Sequence, residues 1–296
     1  MKPSHLQWQS QAMLLIVLPA AAAETALLSL YWRAIAPSVL IAALGCSILL
    51  GLAAWRLHSA TPFGACVGAI LTACLMLDTA EASSTLWKSA LLPVLTLLVL
   101  TSLATRLGRK RKEQLGTAEH RSGRVAAQVA ANIGAAALVS THAAQMWMSD
   151  SNLFAAAGWP NGLLYAPALA ALCEAAADTV SSELGQVLNS RPRMITTMRI
   201  APPGTDGAIS LGGTLAGMLA GGIVAAVGTP ALRGGWLLFA VGWAGGVFGL
   251  FFDSLLGATF ERRGWLNNDA VNFLSTVSAA SFALLLLWVA PRCGLL

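Results

Sequence analysis

Arg124, Gln128 and Asn132 fall four residues apart inside an otherwise apolar stretch, and so do Glu174, Asp178 and Ser182 in a later one. On a helix this spacing puts each trio on one face. Asp253 lies near the end of a third apolar stretch. Asn267, Asn268 and Asn272 open a fourth, the last two again four apart. Hard cations such as Mg²⁺ take one or two carboxylates plus substrate phosphates, and Asp178, Glu183 and Asp253 are residues of that type. The competing reading is interhelical hydrogen bonding. It suits Asn132 or Ser182, whereas lone carboxylates such as Asp178 and Asp253 are poor packing residues and point to function. Glu24, in the first apolar run, fits either reading.

The segment from Arg193 to Thr214 adds a second chemistry. Pro202 and Pro203 stop any helix before Gly204-Thr205-Asp206-Gly207, and Ser210, Gly213 and Thr214 lead into the next apolar run. A glycine-rich turn entering a helix presents backbone N–H groups and a positive dipole end, which suits phosphate. Arg193 and Arg199 supply charge-assisted donors. No Lys-Ser/Thr pair follows the glycines, so this is not a Walker A loop. The plainer alternative is a tight loop whose small residues allow close helix packing. Gly242, Gly245, Gly246, Gly249 and Gly257 read as close helix contacts that also bring backbones near Asp253. His5, His58, His120 and His142 are scattered, and no GxSxG element appears.

These residues need elements to position them, and composition says which. The chain is 56% hydrophobic and 10% charged, against about 25% charged in soluble domains. Apolar runs at 12–31, 34–55, 61–77, 86–107, 125–146, 160–178, 208–228, 234–256 and 270–290 predict an all-α, polytopic membrane bundle of about nine transmembrane helices. The run at 125–146 is the weakest, being interrupted by Asn132, His142 and Gln145. Short turns are expected over 150–159 and 229–233. The longer loops carry Arg109-Lys110-Arg111-Lys112 and Arg191, Arg193 and Arg199, and with Arg262-Arg263 they fall on one side. The positive-inside rule makes that side cytoplasmic, with a cytoplasmic N-terminus and an external C-terminus. Arg33 and Arg233 are minor exceptions. All four polar faces then meet at the cytoplasmic side.

Residues 1–105 form an apolar N-terminal region, and residues 106–296 hold nearly all the candidate chemistry. The first run reads as a span and not as a signal peptide. Cys46, Cys66, Cys74, Cys173 and Cys293 read as small buried packing residues. The net charge of +5 has no soluble module to present it to nucleic acid, so no nucleic-acid partner is expected. The basic loop serves as a topology signal or docks anionic membrane lipids.

Gly123-Arg124 with Gln128 and Asn132 resembles a "GRxxxQVxAN" motif, and Ala177-Asp178-Thr179 through Ser182-Glu183-Leu184-Gly185 resembles "ADTxxSELG". Thr196-Thr197, Gly204-Thr205-Asp206-Gly207, Ser210, Gly213-Thr214, Asp253-Ser254, Gly257, Asn267-Asn268 and Asn272 follow in order. As a set, over roughly residues 105–290, they resemble the transmembrane-protein-19-like family of integral membrane proteins. Asp206 departs from the pattern. That family includes the plant plastid phytyl-phosphate kinase. The resemblance implies phosphoryl transfer from a nucleoside triphosphate, CTP or ATP, to an isoprenyl monophosphate of phytyl or geranylgeranyl type, giving the diphosphate. It further implies Mg²⁺ on Asp178, Glu183 and Asp253, and phosphates held by Arg124, Arg193 and Arg199. The nucleotide would lie on the Gly204–Thr214 turn, and the acceptor head group would be oriented by Asn132, Asn268 and Asn272. The expected setting is a bacterial inner membrane with the site facing the cytoplasm. Two other functions fit the same residues: a transporter of a small polar or phosphorylated solute, and a membrane cytidylyltransferase acting on a lipid phosphate.

Overall fold

A chain this apolar must satisfy its backbone polar groups within each segment, and in lipid the helix does so. The computed structural model describes residues 6–82, 85–118, 122–150, 161–188 and 191–289. The turn expected over 150–159 lies, beyond Asp150, outside the described residues, as do His5, His120 and Cys293. The described helices are α1 (Gln7–Ile35), α2 (Pro37–Arg56), α3 (Pro62–Thr79), α4 (Leu91–Arg106), α5 (Arg109–Leu115), α6 (Ala126–Ser140), α7 (His142–Asp150), α8 (Ala166–Val187), α9 (Leu211–Ala231), α10 (Trp236–Leu256) and α11 (Asn268–Val289). A short antiparallel ribbon, β1 (Arg193–Met194) and β2 (Ala208–Ile209), pairs Arg193 with Ile209 and Met194 with Ala208.

Seven helices (α1, α2, α3, α8, α9, α10 and α11) are long and apolar enough to cross a membrane. The count is eight if α4 and α5, bent by 64°, are one span. The nine expected segments each contain a helix, but the one at 125–146 is broken. α6 stops at Ser140, 15 residues long, and Thr141 turns extended with ψ 149°. The Thr141 hydroxyl accepts from Ala144 N (3.4 Å) and Glu24 Oε1 accepts from His142 N (2.9 Å), so α7 starts afresh. Glu24 thus serves as a helix cap. Length and composition support seven or eight crossings where nine were expected.

α8 is the centre of the bundle. Of its apolar window 83% is buried, against 17% for α1, and it packs on α4, α6, α9, α10 and α11. Small residues make this possible. A Cβ at Gly217 of α9 would lie 2.5 Å from Ala177 O, and one at Gly249 of α10 would lie 2.5 Å from Glu174 Cγ. Large side chains turn outward instead: Leu15, Ile41 and Leu219 are 75%, 71% and 66% exposed, as an apolar solvent permits. Cys74 and Cys173 are buried as expected, Cys46 is half-buried, and Cys66 is exposed. Cys66 is therefore a surface residue and not a packing one.

At one end of the bundle, Arg233 fastens three elements. Its Nη1 donates to Thr79 O (2.9 Å) and Lys88 O (2.6 Å), and its Nε pairs with Glu81 Oε1 (2.9 Å). This clamp explains a basic residue that fits poorly as a topology signal.

Candidate functional site

The opposite end of the bundle gathers the start of α6, the end of α8, the loop before α9, the end of α10 and the start of α11. They enclose a polar cavity of about 510 Å³. Its wall includes Arg124, Asn132, Asp178, Glu183, Gly204, Thr205, Gly207, Ser210, Asp253, Asn268 and Asn272. Four elements far apart in sequence therefore meet as the spacing of their polar residues suggests.

The acids sit deepest. Asp178 and Asp253 approach within hydrogen-bonding reach, and Ser275 of α11 lies within reach of both Asp253 and the buried Glu174. Glu174 Oε1 and Asp253 Oδ1 are buried and accept no hydrogen bond among the described residues. Buried carboxylate oxygens are normally paired, so the Asp253 oxygen, whose residue lines the cavity, can take a cation or a donor from a ligand, whereas Glu174 is not on the cavity wall. Among the described residues, no three Asp, Glu, His or Cys side chains form a ready-made metal cage. The Asp178–Asp253 pair still supplies the one or two carboxylates that Mg²⁺ uses alongside phosphate oxygens.

Arg124 faces the pair from the start of α6. Its charge acts on Asp178, and its Nη2 donates to Thr179 Oγ1 (3.4 Å). The backbone there is stitched to the turn before α3, Arg124 N donating to Ser59 O (3.1 Å) and Thr61 N to Arg124 O (2.9 Å). On the other side runs an amide chain. Asn268 Nδ2 donates to Asn272 Oδ1 (3.4 Å) and Asn272 Nδ2 to Asn132 Oδ1 (3.3 Å). Asn267 does different work. It donates to Leu6 O and Ser10 Oγ and accepts from Ala270 N, tying α11 to the start of α1.

Glu183 is held from behind. Lys112 of α5 is 1% exposed, and its Nζ lies 2.6 Å from Glu183 Oε2 while donating to Ala104 O and Thr105 O. Gly108, with φ +64°, lets α5 fold back under α4 to reach that position. Lys112 is thus a buried ion-pair partner and does not dock lipid head groups. No feature of the run Arg109-Lys110-Arg111-Lys112 marks one lysine as different.

The loop before α9 meets the wall only in part. Gly207 has φ +74°, and a Cβ there would lie 2.3 Å from Ala258 N, so the loop is pressed against the turn after α10. Ser210 accepts from Gly213 N (3.2 Å) through its hydroxyl and from Thr214 N (2.8 Å) through its carbonyl, capping α9. Those amides are engaged internally, and Gly213 and Thr214 are not on the cavity wall. Arg193, Thr196, Thr197 and Arg199 are exposed and also lie outside it. Arg193 Nη1 instead donates to Met198 O (2.8 Å). Among the wall residues not singled out in the sequence are Thr117, Gln186 and Glu261. Thr117 Oγ1 bonds Gln186 Oε1 at 2.5 Å. Gln186 lies eight residues after Asp178 on the same helix face, a signal that could have found it.

A cation-ready acid pair, one arginine and a row of amides suit a multiply charged oxyanion better than a neutral solute. Comparison with known proteins adds descent. The chain is 45% identical over 109 residues to the uncharacterized membrane protein MJ0933 of Methanocaldococcus jannaschii (37% of this chain, 45% of the relative). It is 30% identical over 201 residues to the uncharacterized membrane protein sll0875 of Synechocystis (67% and 73%). To the chloroplastic protein VTE6 of Arabidopsis thaliana it is 31% identical over 198 residues (64% and 55%). The chain thus spans about half the length of the archaeal and plant relatives. No solved structure matches it. The family model described as integral membrane protein DUF92 matches residues 45–280, and with that extent of agreement the chain belongs to this family.

Proposed function

We propose that the protein is a membrane-embedded phosphotransferase that moves the γ-phosphoryl group of a nucleoside triphosphate onto an isoprenyl monophosphate. The observation that carries this reading is the Asp178–Asp253 pair, with a buried unpartnered Asp253 oxygen, facing Arg124 across a polar cavity. The motif resemblance to the family of the plastid phytyl-phosphate kinase, and the match to a chloroplast protein, support the substrate class. Basic residues ring the same end of the bundle, among them Arg106, Arg109, Arg262 and Arg263. That end then faces the cytoplasm, where nucleotide is available.

In the transfer, a non-bridging oxygen of the acceptor monophosphate attacks the γ-phosphorus, the bond to the β–γ bridging oxygen breaks, and the nucleoside diphosphate leaves. Such a step needs positioning and charge neutralisation more than covalent help. Asp178 and Asp253 would hold Mg²⁺, which when bound neutralises phosphate charge. Arg124 holds a phosphate, Asn132, Asn268 and Asn272 orient the acceptor head, and Glu183, fixed by Lys112, completes the wall.

The test is turnover in detergent micelles with Mg²⁺. ATP, CTP, GTP and UTP are offered against phytyl, geranylgeranyl and farnesyl monophosphates, with products read by mass spectrometry. A diphosphate product that disappears in folded Asp253→Asn supports the reading. Undiminished turnover in both Asp178→Asn and Asp253→Asn refutes the acid-pair role. No diphosphate from any pair with folded protein refutes the kinase, and pyrophosphate release identifies a cytidylyltransferase.

A further inference from the structure

A second cavity, of about 180 Å³, lies beside the polar one. α2 gives it Leu50 and Ala54, α3 gives Gly68 and Thr72, and α4 gives Leu97 and Leu98. Arg124 and Asn132 line both cavities, so the two share a wall. The second cavity is mostly apolar in its depth, apart from Thr72 and Thr101, and gathers its charged side chains towards that shared wall. There the Ser59 and Ser102 hydroxyls lie 3.0 Å apart and Arg106 Nη2 donates to Leu57 O (2.6 Å). Deeper in, Thr101 turns its hydroxyl to Leu97 O (2.9 Å). α4 leans on α8 and α9 and makes little contact with α2 or α3, which leaves a crevice between them.

We infer that this cavity holds the head-proximal hydrocarbon of a single-chain lipid phosphate whose head lies in the polar cavity. Three observations select that occupant. The shared Arg124 and Asn132 put a phosphate site and an apolar site within reach of one molecule. The deep wall is mostly apolar, Leu50, Ala54, Leu97 and Leu98 facing it while Thr101 spends its hydroxyl on its own helix. The volume also decides the size: an apolar void of about 150 Å³ takes a benzene-sized group, so this one takes about one isoprene unit and excludes a pair of acyl chains. The rest of the tail leaves through the crevice beside α4 into lipid. Gly68 is the specificity-determining position. A Cβ there meets only Val129 Cγ1 at 3.5 Å, an ordinary contact, so a larger side chain enters the cavity instead of displacing a helix.

The inference rests on the polar cavity being the head-group site, and its test does not require turnover. Full-length protein in micelles is irradiated with a geranylgeranyl monophosphate carrying a diazirine on its first isoprene unit. Labelled peptides are then mapped by mass spectrometry. Label should fall on residues 50–72, 94–105 and 129–133 and be competed by unlabelled geranylgeranyl monophosphate. It should drop about tenfold in Gly68→Leu and stay unchanged in Ile41→Trp, on the lipid-facing side of α2. Where turnover is present, Gly68→Leu should raise KM for the lipid about tenfold and leave KM for the nucleotide unchanged. Label concentrated on other helices, or insensitive to competitor, overturns the inference even if diphosphate is made. Competed label at this cavity without diphosphate sustains it and removes the kinase reading alone.

Discussion

Replacing Lys112 by Met should destabilise the protein by about 4 kcal/mol, and removing Glu183 as well should restore most of that. At 2.6 Å the pair's gross attraction is about 6 kcal/mol for an effective dielectric near 20. Desolvating two ions consumes much of it, so the intact pair is worth little more than an apolar pair. Removing one partner is different, because it strands a buried charge at a cost of about 3–5 kcal/mol. The Glu183 side chain keeps 12% exposure to the cavity, which favours the lower part of that range. Ala104 O and Thr105 O also lose a donor, adding about 1 kcal/mol. Reversible unfolding in mixed micelles, followed by tryptophan fluorescence, gives the double-mutant cycle Lys112→Met, Glu183→Gln and both together. Arg109→Met, which breaks an exposed pair with Glu113, should cost less than about 1 kcal/mol. If Lys112→Met costs no more than Arg109→Met, or the double variant is no more stable than the single, α5 is not anchored by this pair.

The asparagines should separate by role. Asn267→Ala should lower stability by about 1–2 kcal/mol and leave turnover per folded molecule unchanged, because its bonds go to Leu6, Ser10 and Ala270. Asn272→Ala should cost less than about 1 kcal/mol yet raise KM for the lipid acceptor, and equal KM values for the two variants would contradict the assignment. Gly249→Val forces a side chain against Glu174, Ala279 and Ser275. It should cost about 1–3 kcal/mol and abolish turnover by moving the α10 acid, as paired melting and product assays would reveal. Gly207→Ala must hold a left-handed backbone, at about 1–2 kcal/mol, and also clears Ala258 poorly, so a variant as stable and active as the parent would show that the loop is not pressed in place.

By itself the sequence determined the class of fold and the polar helix faces that fall at one end of the bundle, but not the distances between them. Apolar runs can hide their backbone polar groups in lipid only as helices, and polar residues four apart must share a helix face. Asp178, Arg124, Asn132, Asn268 and Asn272 were legible for that reason, and Asp253 as a lone carboxylate in an apolar stretch. The chain was silent where long-range packing decides. Nothing local distinguishes Lys112 from its basic neighbours, or Arg193 and Arg199 from cavity-wall arginines. Their partners come from segments distant in sequence or from the loop's own carbonyls. The break at Thr141 was visible only as scattered polar residues, since Glu24 arrives from α1 to cap the new helix. Tertiary structure also decided that α4 leans away from α2. Helix spacing is set by which small residues meet across each interface, and that cavity exists only once all the neighbours are in place.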